Sequence, residues 1–195
     1  EQEAYSEDEV QQFVEIINVN CGLLLGLIND ILDLARIESG AMDFQFGATD
    51  LGKIMQEVYD SQKYSMPEEV ELRLLIPDKN HKTIETDPLR LKQVLNNLIN
   101  NAKKFTTEGA ISIGYYTKVL GGTTFFVEDT GSGISEEDQK RIFERFYKVD
   151  SFSQGAGLGL SICQTIVERF HGKIKVISKK GKGTRFEVTV PDKED

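Results

Sequence analysis

Three groups of residues have the types and spacing to handle a phosphorylated ligand. The first lies in RLKQVLNNLINNAKKF (90–105). There Gln93, Asn97, Asn101 and Lys104 recur at helical intervals and share one face, with Leu91, Val94, Leu95, Leu98 and Ala102 opposite. Amide oxygens are hard, neutral donors suited to Mg²⁺, which takes few protein ligands and keeps waters and phosphate oxygens. Lys104 adds a point charge for the same phosphates. A merely solvated face is the competing reading, although such faces favour Glu and Lys over Asn, a mediocre helix former. The second group is Asp129-Thr130-Gly131-Ser132-Gly133, at the end of an apolar stretch. A carboxylate beside glycines suits a base amino group, because glycine lets backbone approach a ligand closely. An ordinary glycine turn would look the same. Strand-Asp-Thr-Gly also marks aspartic proteases, but these need a carboxylate dyad and an all-β body. The third group is Gly155-Ala156-Gly157-Leu158-Gly159-Leu160, followed directly by a helical pattern. Glycine amides at a helix start offer donors and positive dipole to a phosphate. Leu160 stands where the dinucleotide fingerprint has its third glycine, and no G-x-x-x-x-G-K-[ST] occurs. The signature set of Ser/Thr/Tyr protein kinases is missing too.

The elements that must position these groups alternate. Thr49-Asp50 predicts a cap for a helix over 51–62, and VELRLLI (70–76) alternates as a strand. Asp87-Pro88 starts a helix running to about Lys104. Residues 110–119 and 123–129 flank Gly121-Gly122 as a hairpin. Ser135 opens a helix reaching about Phe146, and Leu158 to Phe170 forms another, ended by Gly172. Residues 173–178 and 184–190 make a closing hairpin. The pattern predicts an α+β layered sandwich, helices on one face of a mixed sheet.

Ahead of this unit, residues 6–38 contain no proline, and Ser6 with Glu9 reads as a capping box. Val10, Ile17, Leu24 and Ile31 recur every seven residues, with Phe13, Leu27 and Leu34 at the second seam position. Val14, Cys21, Ile28, Ala35, Ile16, Leu23, Leu25, Leu32 and Ile37 widen the stripe beyond what one neighbouring helix covers. Asn20 falls on the seam, and Ser39-Gly40 stops the helix. A boundary is expected near 39–46. No comparable heptad follows, so the partner helices are expected from another chain or from sequence outside this one.

The 195 residues allow one large domain, or one domain with an appendage. With 39% hydrophobic and 28% charged residues the chain reads as soluble and globular. A net charge of −9 excludes an unaided nucleic-acid binder or a polybasic membrane surface. Residues 1–35 hold eight acids and no Lys or Arg, so nearly all of that charge sits on the N-terminal segment. No apolar run is expected to approach a spanning helix, and the N-terminus is no signal peptide. Cys21 and Cys163 make neither a disulfide framework nor a zinc site, which suits a reducing compartment.

The ordered set NLINNAKKFT (97–106), EDTGSGI (128–134), FERFY (143–147) and GAGLGL (155–160) resembles the catalytic, ATP-binding domain of bacterial sensor histidine kinases, over residues 45–191. The N-terminal helix, ending DILDLARIESG, resembles the second helix of that family's dimerisation and phosphotransfer domain. The resemblance implies a Bergerat-type two-layer α/β sandwich in residues 45–195, preceded by a partial dimerisation segment in 1–44. It implies Mg²⁺ on Asn97 and Asn101, Lys104 on the phosphates, and Asp129 on the adenine amino group. Gly131 and Gly133 would shape the pocket and Gly155, Gly157 and Gly159 would flank the triphosphate, with Phe105, Ile134, Phe146 and Leu158 completing the nucleotide site. Residues 147–155 would form a lid. Ala156 stands where many relatives have Thr or Ser, so that hydroxyl contact is lost. Phe143, Phe146 and Phe152 brace the lid or pack in the core, and Lys103, Arg141, Arg145 and Lys148 meet phosphates or nearby acids.

The implied activity is transfer of the ATP γ-phosphoryl group to a histidine on a helix upstream of this chain, for relay to a response-regulator receiver. His81 lies in a loop and His171 precedes a helix-ending glycine, so neither fits the acceptor. The chain by itself is expected to bind ATP and Mg²⁺ without autophosphorylating. The intact parent would dimerise through the N-terminal helix. It would sit on the cytoplasmic side of a membrane sensor and touch the membrane only through other segments. Basic residues on the missing partner helix, or on the docked receiver, would face Glu7–Glu15. A nucleotide-driven conformational ATPase of the same fold is the first alternative; Gln93 replaces the carboxylate it would need. A docking module with an inactive nucleotide site is the second.

Overall fold

The computed structural model describes residues 6–77, 82–117, 121–150 and 155–191. Helix α1 (Glu7–Glu38) opens on the expected capping box: Ser6 Oγ accepts from the Glu9 amide, and the Glu9 carboxylate accepts from the Ser6 amide. None of its residues is buried. Val10, Ile17, Leu24 and Ile31 stay about half exposed, whereas at the second seam position Leu27 is partly buried and Leu34 packs against the core. Asn20 bonds back along its own helix, its amide donating to the Ile16 carbonyl at 2.7 Å. The expectation of no membrane-length apolar run is corrected here, because a window of α1 reaches a mean hydropathy of 1.4. By length and composition α1 could cross a membrane, a criterion that core helices of soluble proteins and signal sequences also meet.

The segment after α1 packs rather than dangles. Met42 is buried, and Phe44 stacks on Phe46 and meets Phe170 edge-on. Strand β1 (Gly47–Asp50) leads to α2 (Leu51–Lys63), whose first turn is capped by Asp50 accepting from the Lys53 amide at 3.0 Å. Strands β2 (Val70–Leu75) and β3 (Thr83–Thr86) follow. β1 and β3 pair antiparallel in a small sheet of their own, which four-residue strands give too little alternation to announce.

Helix α3 (Pro88–Phe105) starts as expected, with Asp87 accepting from the Leu89 and Arg90 amides at 2.9 and 3.0 Å. Strands β4 (Gly109–Thr117) and β5 (Thr123–Asp129) form the expected antiparallel hairpin. β2 pairs parallel with β4, and α3 supplies the crossover such a pair requires. The main sheet is completed by β6 (Lys173–Ser178) and β7 (Thr184–Val190), in the order β2-β4-β5-β7-β6. One face carries α2, α3 and α5 (Gly159–Arg169). There Leu91, Val94, Leu95, Leu98 and Ile99 of α3 are essentially sealed against Ile111, Ile113, Phe125, Val127 and Val188. The other face is polar, with Arg185 bridging Glu128 and Glu187 at 2.8 and 2.9 Å. This is the two-layer α+β sandwich.

Two elements differ from expectation. Helix α4 (Glu136–Gln139) stops a full seven residues before Phe146. The chain beyond it turns through short-range bonds, from the Arg141 amide to Asp138 O and from the Glu144 amide to Arg141 O. Phe146 takes φ +63° and donates its amide to Gly157 O at 3.0 Å, which pulls it out of any helical path. At the end of α5, His171 rather than Gly172 adopts the left-handed conformation, with φ +54°. Gly172 is required for another reason: a Cβ there would lie 2.4 Å from the Thr189 carbonyl.

Candidate functional site

Helix α3 presents its polar face as expected. Asn97 and Asn101 are partly exposed, while the core residues opposite are buried. A cavity of about 600 Å³ opens over this face, lined by Asn97, Asn101, Lys104 and Phe105 on one side and by Gly155, Gly157 and Gly159 on the other. The glycine loop comes close to the helix at two points. A Cβ on Gly155 would sit 3.1 Å from Lys104 Nζ, and one on Gly159 would sit 3.9 Å from the Asn97 amide. Two of the three sequence groups therefore share one cavity. Burial pushes the Lys104 ammonium below its usual range, with Asp30 partly offsetting it, as expected for a cation held short of water.

The Asp129 group is tied to the same helix from its far end. Asp129 ends β5 and is 7% exposed, its Oδ1 accepting from the Gly131 amide at 2.8 Å and the Thr184 amide at 3.3 Å. Burial raises the Asp129 carboxyl above the usual carboxylate range, and the Gly131 and Thr184 bonds partly offset that. The following turn locks onto the α3 terminus through the Ser132 amide, which donates to Phe105 O at 3.1 Å. Gly131 lies so close that a Cβ would meet Phe105 O at 2.1 Å. Gly131→Ala is therefore expected to force this turn away from α3 and cost about 1–3 kcal/mol, as overpacking does. Thermal melting checks the cost, and loss of nucleotide binding checks the link to the site. Gly133, at φ +66°, packs equally tightly on Lys179 O of the closing hairpin.

Not every expected site residue faces the cavity. Asp129, Gly131, Gly133, Ile134, Phe146 and Leu158 are not among its lining. Leu158 has a core side chain, 0% exposed, and caps α5, so it anchors the glycine loop from beneath. Phe146 is 65% exposed and does not pack in the core, whereas Phe143 meets Phe186 edge-on and does. Phe152 and His81 lie outside the described residues. Of the basic residues, Arg141 pairs with Glu144 and covers the Tyr147 ring, and Arg145 pairs with Glu38. Lys103 donates to Ser65 Oγ at 2.8 Å while also lining the cavity, as does Lys148. Sequence reasoning missed the wall that α1 contributes through Gly22, Leu23, Gly26, Leu27 and Asp30. The signal was present in the four-residue spacing of Gly22, Gly26 and Asp30, hidden by the broader apolar stripe.

Residues 86–194 match the family described as histidine kinase-, DNA gyrase B- and HSP90-like ATPases. The chain belongs to this family. Within it, the relatives are sensor histidine kinases. Sensor protein EvgS of Escherichia coli K12 is 35% identical over 175 residues, covering 86% of this chain and 15% of EvgS. Signal transduction histidine-protein kinase BarA of the same organism is 37% identical over 172 residues, covering 84% of this chain and 19% of BarA. The chain thus spans less than a fifth of either relative. Among solved structures, full-length ShkA in complex with AMPPNP superposes with a TM-score of 0.82 at 28% identity, covering 98% of this chain and 41% of ShkA. Histidine kinase ThkA in complex with response regulator TrrA gives 0.76 at 25% identity, covering 98% of this chain and 54% of ThkA. The layered sandwich with its long N-terminal helix is therefore the histidine-kinase catalytic-domain fold, and the matched region is an ATP-binding domain of the sensor-kinase type.

Proposed function

We propose that this chain binds ATP with Mg²⁺ and serves as the catalytic unit of a sensor histidine kinase. The γ-phosphoryl group would pass to a histidine on a phosphotransfer helix outside the chain, for relay to a response-regulator receiver. The observation that carries the reading is the single cavity onto which the α3 amides, Lys104 and the glycine loop all open. Asn97 and Asn101 suit Mg²⁺: they are neutral oxygen donors one helical turn apart. Among the described residues no cluster of three or more His, Cys, Asp or Glu could hold a metal alone. An ion at this face would need the phosphate oxygens of a nucleotide and water to fill its shell, which is how Mg²⁺ commonly binds. When bound, the ion neutralises charge on the transferred group. Lys104 holds the phosphate tail, the glycine amides face it, and Asp129 accepts from the base.

In the proposed parent, residues 1–44 form the second helix of a dimerisation and phosphotransfer domain, and residues 45–195 the catalytic domain. The exposed Val10, Ile17, Leu24 and Ile31 of α1 support a helical partner, supplied by a first helix outside the chain and a second copy. The receiver would dock on that bundle. The unit lies on the cytoplasmic side of a membrane sensor and makes no nucleic-acid contact. A conformational ATPase is the weaker reading, since Gln93 supplies no carboxylate and its amide instead donates to Asp33.

Calorimetric titration with a non-hydrolysable ATP analogue and Mg²⁺ tests the proposal. Saturable binding without autophosphorylation is expected. No heat at millimolar nucleotide would leave only a docking role, and sustained ATP hydrolysis would favour the ATPase. Asp129→Asn sharpens the test. Folding raises the Asp129 pKa, so its ionised form is disfavoured in the folded protein. That penalty is absent below the ordinary carboxylate pKa and present at neutral pH. The Asn variant keeps an oxygen for the Gly131 and Thr184 amides and should melt at or above the parent temperature at pH 7. It should nonetheless lose roughly tenfold or more in nucleotide affinity, the worth of a charge-assisted bond.

A further inference from the structure

Phe146 holds its backbone at φ +63°, a left-handed conformation that a bulky residue adopts only when its surroundings impose it. Its side chain does not explain this, since the ring is 65% exposed and lies outside the core. Its backbone does. The Phe146 amide donates to Gly157 O at 3.0 Å, and Gly157 belongs to the glycine loop that lines the cavity. The fit is close: a Cβ on Gly157 would lie 2.7 Å from Tyr147 O and 2.9 Å from the Phe146 carbonyl carbon. The strained residue is thus the point at which the segment after α4 grips the glycine loop.

Both flanks of Phe146 are fixed. Before it, Ile142 is buried and Phe143 packs edge-on against Phe186. After it, Tyr147 donates its hydroxyl to Asp138 Oδ1 at 2.6 Å, while the Arg141 guanidinium lies over the tyrosine ring at 4.2 Å. Asp138 is itself held by Ser135 Oγ, which donates to its other carboxylate oxygen at 2.5 Å. The Ser135 and Tyr147 hydroxyls keep the Asp138 carboxyl below its ordinary range, so the acceptor is ionised at neutral pH. A hydrogen bond to a charged acceptor is of the same order as the cost of one strained backbone residue, so this bond can hold Phe146 in place.

We propose that Tyr147 is a positioning residue of the phosphate site: tethered to Asp138, it keeps Phe146 in the strained conformation whose amide fixes Gly157, and so presets the glycine loop for a phosphate-bearing ligand. The inference rests on the nucleotide reading of the cavity. Tyr147 acts without touching the ligand. Once the tether is cut, Phe146 relaxes to an ordinary conformation and its amide leaves Gly157 O. The loop must then be ordered at the moment of binding, which costs affinity. That cost falls on ligands that reach the glycine loop, because the base is held at Asp129, outside the cavity lining.

Tyr147→Phe removes the hydroxyl and keeps the ring. The whole chain and this variant are titrated with Mg²⁺-AMPPNP and with adenosine, and their amide exchange is followed by NMR without ligand. The variant should bind Mg²⁺-AMPPNP roughly fivefold more weakly, the size expected of one contact in a coupled network. Adenosine affinity should not change. The Phe146 amide should exchange roughly tenfold faster before any nucleotide is added, as in a local opening. The deciding readout concerns strain. Glycine takes a left-handed backbone without steric penalty, so in a Phe146→Gly background Tyr147→Phe should change Mg²⁺-AMPPNP affinity by less than about twofold. A general packing defect would persist there. In an Asp138→Ala background Tyr147→Phe should likewise add nothing. An equal loss for adenosine, an unchanged AMPPNP affinity, an unchanged Phe146 exchange rate, or a loss that survives in either background would each overturn the proposal. A parent chain that binds neither ligand would instead sink the nucleotide reading, and the role of the tether with it.

Discussion

Leu95→Ala is expected to destabilise the protein by about 3 kcal/mol, the middle of the range for emptying a sealed leucine site. Leu95 is 0% exposed, on the buried face of α3 and within the hydrophobic core. Its neighbours Leu91, Val94, Leu98 and Ile99 are equally sealed, so the site has little freedom to collapse into the gap. For a unit of this size the loss corresponds to roughly 6–12 °C in melting temperature. The consequence reaches function because α3 is a two-sided element. The face that packs the core fixes the rotation of the helix, and so fixes where Asn97, Asn101 and Lys104 point. Nucleotide should raise the melting temperature of both proteins, but by less in the variant, since part of its binding energy goes into re-seating the helix. Differential scanning calorimetry with and without Mg²⁺-AMPPNP reads both numbers. A melting temperature within a degree of the parent would show that α3 is not anchored as described.

The same helix shows why so much was legible in the residues alone. Asp87-Pro88 sets its start, the 3.6-residue rhythm separates its two faces, and the amides on the outer face are poor helix formers kept for another purpose. The hairpin about Gly121-Gly122 and the closing hairpin were legible for a similar reason, since each pairs neighbours in sequence. Contacts between distant segments were not. The small sheet of β1 and β3 joins four-residue strands across more than thirty residues, and neither strand carries a pattern alone. Helix α4 looked longer because Arg141–Tyr147 has adequate helix propensity. Its actual path is set by the Phe146–Gly157 backbone bond, a tertiary contact that local propensity cannot register. For the site, the residue types on α3, the Asp129 turn and the glycine loop were readable. The division of labour between them was not: the Leu158 side chain sits in the core beneath the loop, and α1 supplies a wall.

The acidic N-terminus of α1 still lacks a counterpart among the described residues, apart from the Ser6–Glu9 cap. Its charge and the exposed Val10, Ile17, Leu24 and Ile31 both suit a basic, apolar-faced helix outside the chain.

The central claim is that neutral oxygens on consecutive turns of α3 grip a divalent ion that bridges to a nucleotide tail. Its most direct test is Asn101→Ala, titrated with AMPPNP at saturating Mg²⁺ and again with the metal chelated. The account predicts that the variant melts like its parent and binds metal-free analogue about as well. It should lose roughly hundredfold in affinity for the Mg²⁺ complex, about 2.7 kcal/mol, so that magnesium no longer strengthens binding. A variant that holds the Mg²⁺ complex as tightly as the parent would contradict the account.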